Sequence, residues 1–316
     1  MSGERRPRIA FCGVGRMGAE MVAALTERGF GVTVWNRTAE RATTVGERTG
    51  ALVAETPALA SRDADVVITM LTDGPAVLRT LDGEDGILAG APKGAVVVDC
   101  STTGADAARQ AADRCAAAGA GFLDCPVSGS TVVARQGRLG LMVGGDAAVI
   151  ARARPVLEAL GTVVHVGPTG AGAAAKVAVN ALLHTFSTAL SECLVMARAA
   201  GVSSEALFEV LAAGVLWNRF LDYKRPAFTD PDNAPVAFDL RTATKDLRLA
   251  EEAGKQAGMT QSVVQRALEL HQHALHDGFG DRDMAAMAAW FADTVRRADD
   301  PSAAGDPAPR REPERN

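Results

Sequence analysis

Residues 8–18 read Arg-Ile-Ala-Phe-Cys-Gly-Val-Gly-Arg-Met-Gly, an apolar run passing directly into a Gly-x-Gly-x-x-Gly turn. The apolar run reads as a short buried strand. A helix follows, with Met21, Val22 and Leu25 at helical spacing and Gly29 at its end. Val32-Thr33-Val34-Trp35 then supplies a second strand and completes a βαβ unit of about thirty residues, the context that a glycine fingerprint needs. In such a unit Gly13 permits the turn, Gly15 lets a pyrophosphate approach the backbone, and Gly18 lets the helix pack close to the strand. Gly13, Val14, Gly15, Arg16, Met17 and Gly18 are therefore the candidate dinucleotide loop.

The end of the second strand selects the dinucleotide. An acid there would accept from both ribose hydroxyls and repel a 2′-phosphate, but the residues are Asn36-Arg37-Thr38. Arg37 can stack on adenine or pair with phosphate, and Asn36 and Thr38 can donate hydrogen bonds, so NADP is expected over NAD.

Outward from this unit the βα alternation continues. Strands are expected at Ala51–Ala54, Val66–Leu71 and Ala95–Asp99, each a continuous apolar run of the kind covered on both faces in a parallel sheet. Ligands of such sheets sit at the carboxyl ends of the strands, here Met70-Leu71-Thr72-Asp73 and Asp99-Cys100-Ser101-Thr102. A further strand at Gly121–Asp124 runs into Cys125-Pro126-Val127-Ser128-Gly129-Ser130, whose hydroxyls and backbone N–H groups suit a carboxylate. Strands are also expected at Leu139–Gly144 and Val163–Val166, with a helix capped by Asp146 between them.

Gly170 to Ala200 then reads as one helix of roughly 45 Å, closed by Gly201. Lys176, Asn180, His184, Ser187 and Ser191 step along it by four, four, three and four, forming one polar stripe, and the remaining faces read as buried. Beyond Gly201 the pattern is wholly helical to residue 298, and 299–316 is proline-rich, charged and expected to be disordered. The expected class is α/β: a Rossmann-type N-terminal domain at 1–168, a long interdomain helix at 169–200, and an all-α C-terminal domain at 201–298.

The totals exclude several roles. Net charge is -5, and no basic patch with interleaved aromatics appears, so nucleic acid is not an expected partner. Five cysteines without CxxC spacing fit reduced thiols in a cytoplasm. The most apolar window, Val177–Ala197, contains Asn, His and Glu and is not a membrane span. His271, His273 and His276 lack an HExxH pattern and read as surface histidines, with no metal expected. His184 reads as a satisfied interface histidine, Asp246 as a helix-surface or interdomain charge, Trp217 and Phe220 as core, and Cys125 as inert.

Four blocks in order resemble the β-hydroxyacid dehydrogenase family, which includes 3-hydroxyisobutyrate dehydrogenase and the tartronate semialdehyde, glyoxylate and succinic semialdehyde reductases. They are Gly13–Gly18; Asp124–Ser130 with Met142-Val143-Gly144-Gly145; Gly170-Ala171-Gly172 leading to Lys176 and Asn180; and Lys245-Asp246-Leu247. The resemblance implies that Lys176 is the catalytic acid/base, that Asn180 orients the substrate, that Ser128 and Gly129 hold its carboxylate beside Ser130, and that Leu71, Thr72, Thr102 and Lys245 contact the cofactor with Met70. It also implies a small-molecule substrate and a homodimer or homotetramer. Hydride transfer to a carbonyl leaves an alkoxide, and an ammonium supplies both charge and proton to it. Departures fall at Val179, where the family often has asparagine, at Thr72 in place of proline, and at Ser130 in place of glycine, and these bear on which substrate is used. Imine reductases share the Val34–Thr38 segment but carry a different residue at the position of Lys176. A non-catalytic NADP-binding module is the other alternative.

Overall fold

The structure, a computed structural model, describes residues 5–231 and 233–299. The first part of the chain alternates β1 (Ile9–Cys12), α1 (Arg16–Glu27), β2 (Val32–Trp35), α2 (Ala39–Thr49), β3 (Leu52–Val53), α3 (Pro57–Ser61), β4 (Val66–Thr69), α4 (Gly74–Leu81), α5 (Ile87–Gly90) and β5 (Val96–Asp99). It continues through α6 (Ala105–Ala117), β6 (Gly121–Asp124), β7 (Val127–Ser128), α7 (Thr131–Arg135), β8 (Leu139–Gly144), α8 (Ala147–Leu160) and β9 (Gly161–Gly167). The long helix is α9 (Ala171–Ala199), followed by α10 (Ser204–Ala212), α11 (Arg219–Thr229), α12 (Leu240–Gln256), α13 (Val263–His276), a 3-10 turn at Met284–Ala286 and α14 (Met287–Asp299). Asp299, assigned to the tail from sequence, ends α14; the rest of that segment, 300–316, lies outside the described residues.

The chain divides into two compact units, the first comprising residues up to Asn180 with Lys255–Ala257, the second the rest from Ala181. The division falls inside α9, within the segment 169–200 read from sequence as the interdomain helix.

In the first unit the strands lie in the order β3-β2-β1-β4-β5-β6-β8-β7, with β9 also paired to β8. From β3 to β6 every pairing is parallel; β8 runs antiparallel to β6 and β7, and β9 lies parallel to β8. β1, β4 and β5 are buried throughout. One apolar layer joins Ile9, Phe11, Ile68 and Val98 to Met21, Val22 and Leu25 of α1; the other joins Ala10, Val67 and Val97 to Leu81 and Ile87. Register sets the working edge: Cys12 pairs with Trp35 and with Thr69, and Thr69 with Asp99, so the turns after β1, β2, β4 and β5 leave the sheet side by side.

In the second unit, Phe208, Leu221 and Phe228 form a core against which Trp217 and Phe220 pack, which agrees with the core reading of those two aromatics. Gly201, with φ +85°, ends the long helix in the left-handed conformation, and Val202 N–H donates to Ala197 O at 2.9 Å. Along α9 the expectation of buried apolar faces holds only in part: Val177, Leu190 and Leu194 are buried, but other apolar residues are not. Asn180, His184, Ser187 and Ser191 are buried, whereas Val179, Leu182 and Met196 are 45%, 73% and 65% exposed. Among the described residues no helix is long and apolar enough to cross a membrane.

Candidate active site

The glycine loop is built as its chemistry requires. Gly13 has φ +105°, and a Cβ there would stand 2.3 Å from Met70 O; a Cβ on Gly18 would stand 2.1 Å from Gly13 O. A Cβ on Gly15 would meet nothing within 4 Å, so space lies open over the loop at the residue that caps α1. α1 has no acid in its first turn, and its N-terminal N–H groups suit a pyrophosphate. Val14, Arg16 and Met17 complete this turn, and the residues present fit a dinucleotide.

Asn36 has a role that the sequence reading missed. Its Oδ1 accepts from Val14 N–H at 3.1 Å, and its Nδ2 donates to Thr38 O at 3.0 Å, so the side chain braces the glycine loop. Arg37 and Thr38 are exposed, and Thr38 takes the N-cap position of α2 without a side-chain cap hydrogen bond.

Beside them, Asp99 organises the next two strand ends. It is 1% exposed and accepts from Thr69 Oγ1 at 2.7 Å, Ser101 N–H at 3.1 Å and Thr103 Oγ1 at 3.4 Å. Ser101 Oγ in turn accepts from Leu71 N–H at 2.8 Å, tying the Met70-Leu71-Thr72 turn to the turn that carries Thr102. Burial raises the Asp99 carboxyl above its ordinary range, and these donors pull the other way. Cys125 is fully buried, in keeping with the inert reading.

Asp124 was also missed as a working part. Its Oδ1 accepts from Gly170 N–H and its Oδ2 from Ala173 N–H, both at 2.8 Å, so a carboxylate of β6 fastens the first turn of α9. Burial raises this carboxyl, opposed by the same amides. Gly170 has φ +93°, and a Cβ on Gly172 would stand 2.4 Å from Met142 O and 2.5 Å from Asp124 O, so the Gly-Ala-Gly entry seats the helix directly on the sheet. Lys176 lies four residues beyond Gly172, half-buried, and Asn180 is 3% exposed one turn further on.

Ser128 ends β7, and Gly129 follows with φ +144°. Ser130 is the N-cap of α7, its Oγ accepting from Val133 N–H at 3.4 Å, which leaves its O–H proton to donate.

Lys245 belongs to the second unit, where its Nζ stands 3.1 Å from Asp246 Oδ1. Asp246 is 2% exposed, a buried carboxylate, which excludes the helix-surface alternative of its sequence reading. His271 is likewise buried, contrary to the surface reading, while His273 and His276 are exposed. A charged pair of neighbours on a helix reads as solvated in sequence, and no local signal marks the exception.

Residues 8–167 match the family described as the NAD binding domain of 6-phosphogluconate dehydrogenase, and residues 170–291 the one described as NAD-binding of NADP-dependent 3-hydroxyisobutyrate dehydrogenase. Glyoxylate/succinic semialdehyde reductase 1 of Arabidopsis thaliana is 33% identical over 280 residues, 88% of this chain and 96% of the relative. An NAD-dependent L-serine dehydrogenase of Pseudomonas aeruginosa is 34% identical over 294 residues, 91% of this chain and 98% of the relative. The structure of Mycobacterium tuberculosis 3-hydroxyisobutyrate dehydrogenase with L-serine matches with a TM-score of 0.81 at 32% identity, covering 91% of this chain and 99% of that one. The chain belongs to the β-hydroxyacid dehydrogenase family, as an NAD(P)-dependent enzyme.

Proposed function

We propose that the enzyme uses NADP to interconvert a small β-hydroxy acid and its semialdehyde or keto form, with Lys176 as general acid and base. The observation that carries this reading is the placement of Lys176 and Asn180 one turn apart on a helix whose first turn is fastened to the sheet by Asp124. When bound, the cofactor supplies or takes the hydride. In reduction Lys176 donates a proton to the carbonyl oxygen as charge develops there, and in oxidation it takes that proton back from the hydroxyl. Asn180 orients the same oxygen. Ser128 Oγ and the Gly129 N–H, with the Ser130 hydroxyl, hold the substrate carboxylate.

The preference for NADP rests on the exposed Arg37 and Thr38 and on Asn36-Arg37-Thr38 holding no acid at the end of β2. Met70, Leu71, Thr72, Thr102 and Lys245 make the remaining cofactor contacts. A small acid as substrate agrees with the names of the relatives, which act on glyoxylate, succinic semialdehyde or L-serine. A second copy of the chain covers the apolar face of α9: Leu182, Ala189, Cys193 and Met196 are exposed and recur at steps of seven, four and three, a self-complementary ridge. The five free cysteines are consistent with a cytoplasmic setting.

The test is NADPH consumption against a panel of succinic semialdehyde, glyoxylate, tartronate semialdehyde, methylmalonate semialdehyde and a cyclic imine, repeated with NADH. Turnover of a semialdehyde or keto acid, faster with NADPH, is expected. Turnover of the imine alone would move the protein to imine reduction, and NADPH binding without any turnover would favour the non-catalytic module.

A further inference from the structure

The strand order β3-β2-β1-β4-β5-β6 reverses between β1 and β4, and a sheet wound in this way lays one half of a dinucleotide on each side of the reversal. The adenosine half falls to β1 and β2, which carry the glycine loop and the turn of Arg37. The nicotinamide half falls to the turns after β4 and β5. Each side has its own internal brace. On the first, Asn36 Oδ1 accepts from Val14 N–H at 3.1 Å. On the second, the brace is the pair Asp99 and Ser101, each 1% exposed.

The second brace runs from strand end to strand end. Thr69 Oγ1 donates to Asp99 Oδ1 at 2.7 Å and Ser101 N–H donates to the same oxygen at 3.1 Å, while Thr103 Oγ1 donates to Oδ2 at 3.4 Å. One carboxyl group thereby joins the end of β4 to the residues on both sides of Thr102. Cys100 N–H donates to Thr69 O at 2.8 Å, which carries the backbone pairing one residue past β5. Beyond that point a side chain takes over, and Leu71 N–H donates to Ser101 Oγ at 2.8 Å. The Leu71-Thr72 turn and the Thr102 turn are thus one body, held by bonds that burial protects from competing water.

We propose that Asp99 and Ser101 are positioning residues for the nicotinamide half of the cofactor, acting through the Leu71-Thr72 and Thr102 turns, whose spacing they fix. Hydride transfer needs that half held at one height and angle, and a misplacement of about 1 Å lowers such a rate by about 10²-fold. The proposal rests on the reading of Leu71, Thr72 and Thr102 as cofactor contacts.

The experiment measures by titration calorimetry the Kd of NADPH and of adenosine 2′,5′-bisphosphate, which carries the adenosine half alone. The enzymes compared are wild type, Ser101→Ala, Asp99→Ala, Asp99→Asn and Asn36→Ala. Ser101→Ala should weaken NADPH about ten-fold and leave the bisphosphate within about two-fold of wild type. Asp99→Ala should show the same split, and Asp99→Asn, which keeps an acceptor for Thr69 and Ser101, should fall between it and wild type. Asn36→Ala, on the adenosine side, should weaken both ligands alike. Bisphosphate binding also reports a folded site, and Ser101→Ala, which removes a single hydroxyl, serves if Asp99→Ala does not fold. If wild type binds NADPH more tightly than the bisphosphate, but Ser101→Ala and the Asp99 variants weaken both alike or neither, the proposal is overturned and the reading of the two turns stands. If wild type binds the two ligands equally, the nicotinamide half gains nothing from these turns, and both are overturned.

Discussion

The two units bury polar side chains in different places. In the first, Thr69, Asp99, Ser101, Thr103 and Asp124 gather at the carboxyl edge of the sheet, and the layers beneath them are apolar. In the second, His184, Ser187, Thr188, Ser191, Lys224, Asp246, His271 and Asp283 are buried on helices and on the segments between them. A parallel sheet pairs its backbone groups internally and offers ligands one edge, so polar function collects there. A helical unit has no such edge and must carry polar function on helix faces. α9 follows from this: in contrast to α1, which buries Met21, Val22 and Leu25, it turns much of its polar stripe inward and leaves Leu182 and Met196 outside.

The largest effect expected of this contrast lies at Lys224. Lys224 is 3% exposed, and its ammonium donates at 2.7 Å to both oxygens of Asp283, which also accepts from the N–H groups of Ala237 and Phe238. Lys224→Met strands a buried carboxylate and should cost about 3–5 kcal/mol in chemical denaturation. A loss no larger than that of an exposed lysine would show that these polar groups are not structural. In the first unit Asp124→Ala leaves the N–H groups of Gly170 and Ala173, at the start of α9, without their acceptor and should cost about 2–3 kcal/mol, with kcat falling as Lys176 loses its footing. If stability falls and kcat does not, the fastening of α9 is structural alone.

Acid should weaken the second unit through His271. Its pKa is lowered to about 3 from 6.5, so its contribution is complete above pH 6.5 and is lost as pH falls toward 3. By pH 5 the loss amounts to roughly 2 kcal/mol. Stability measured against pH should fall less steeply over that window in His271→Gln, and an unchanged slope would remove His271 from the explanation. The smallest effect on the fold concerns the outer face of α9: Leu182→Glu should leave the melting temperature of the monomer near wild type but shift sedimentation from dimer to monomer. A wild-type monomer would refute the second copy.

Sequence legibility follows the same divide. Leu139–Gly144 is a strand within its expected limits, Asp146 caps α8 as expected, and α9 spans Ala171–Ala199 against an expected 170–200. These features rest on local pattern: apolar runs, caps and glycines. Asp124 as the anchor of α9 was not legible because its partner Gly170 lies 46 residues away. The burial of Asp246 and His271 was hidden because helix patterning shows which residues share a face, not whether a polar face or an apolar one turns inward. α9 is the clearest case. Composition made its apolar side look like core throughout, whereas Leu182 and Met196 are exposed and Asn180, His184, Ser187 and Ser191 are buried.

Lys176 tests the proposed chemistry most directly. Single-turnover and steady-state reduction of a turned-over semialdehyde should be compared in wild type and Lys176→Ala, with NADPH affinity measured in both. The expected result is a kcat lower by roughly 10²–10⁴-fold with NADPH still bound as in wild type. A kcat within about two-fold of wild type would contradict the assignment of the proton to Lys176, and with it the reading of the α9 stripe as the catalytic face.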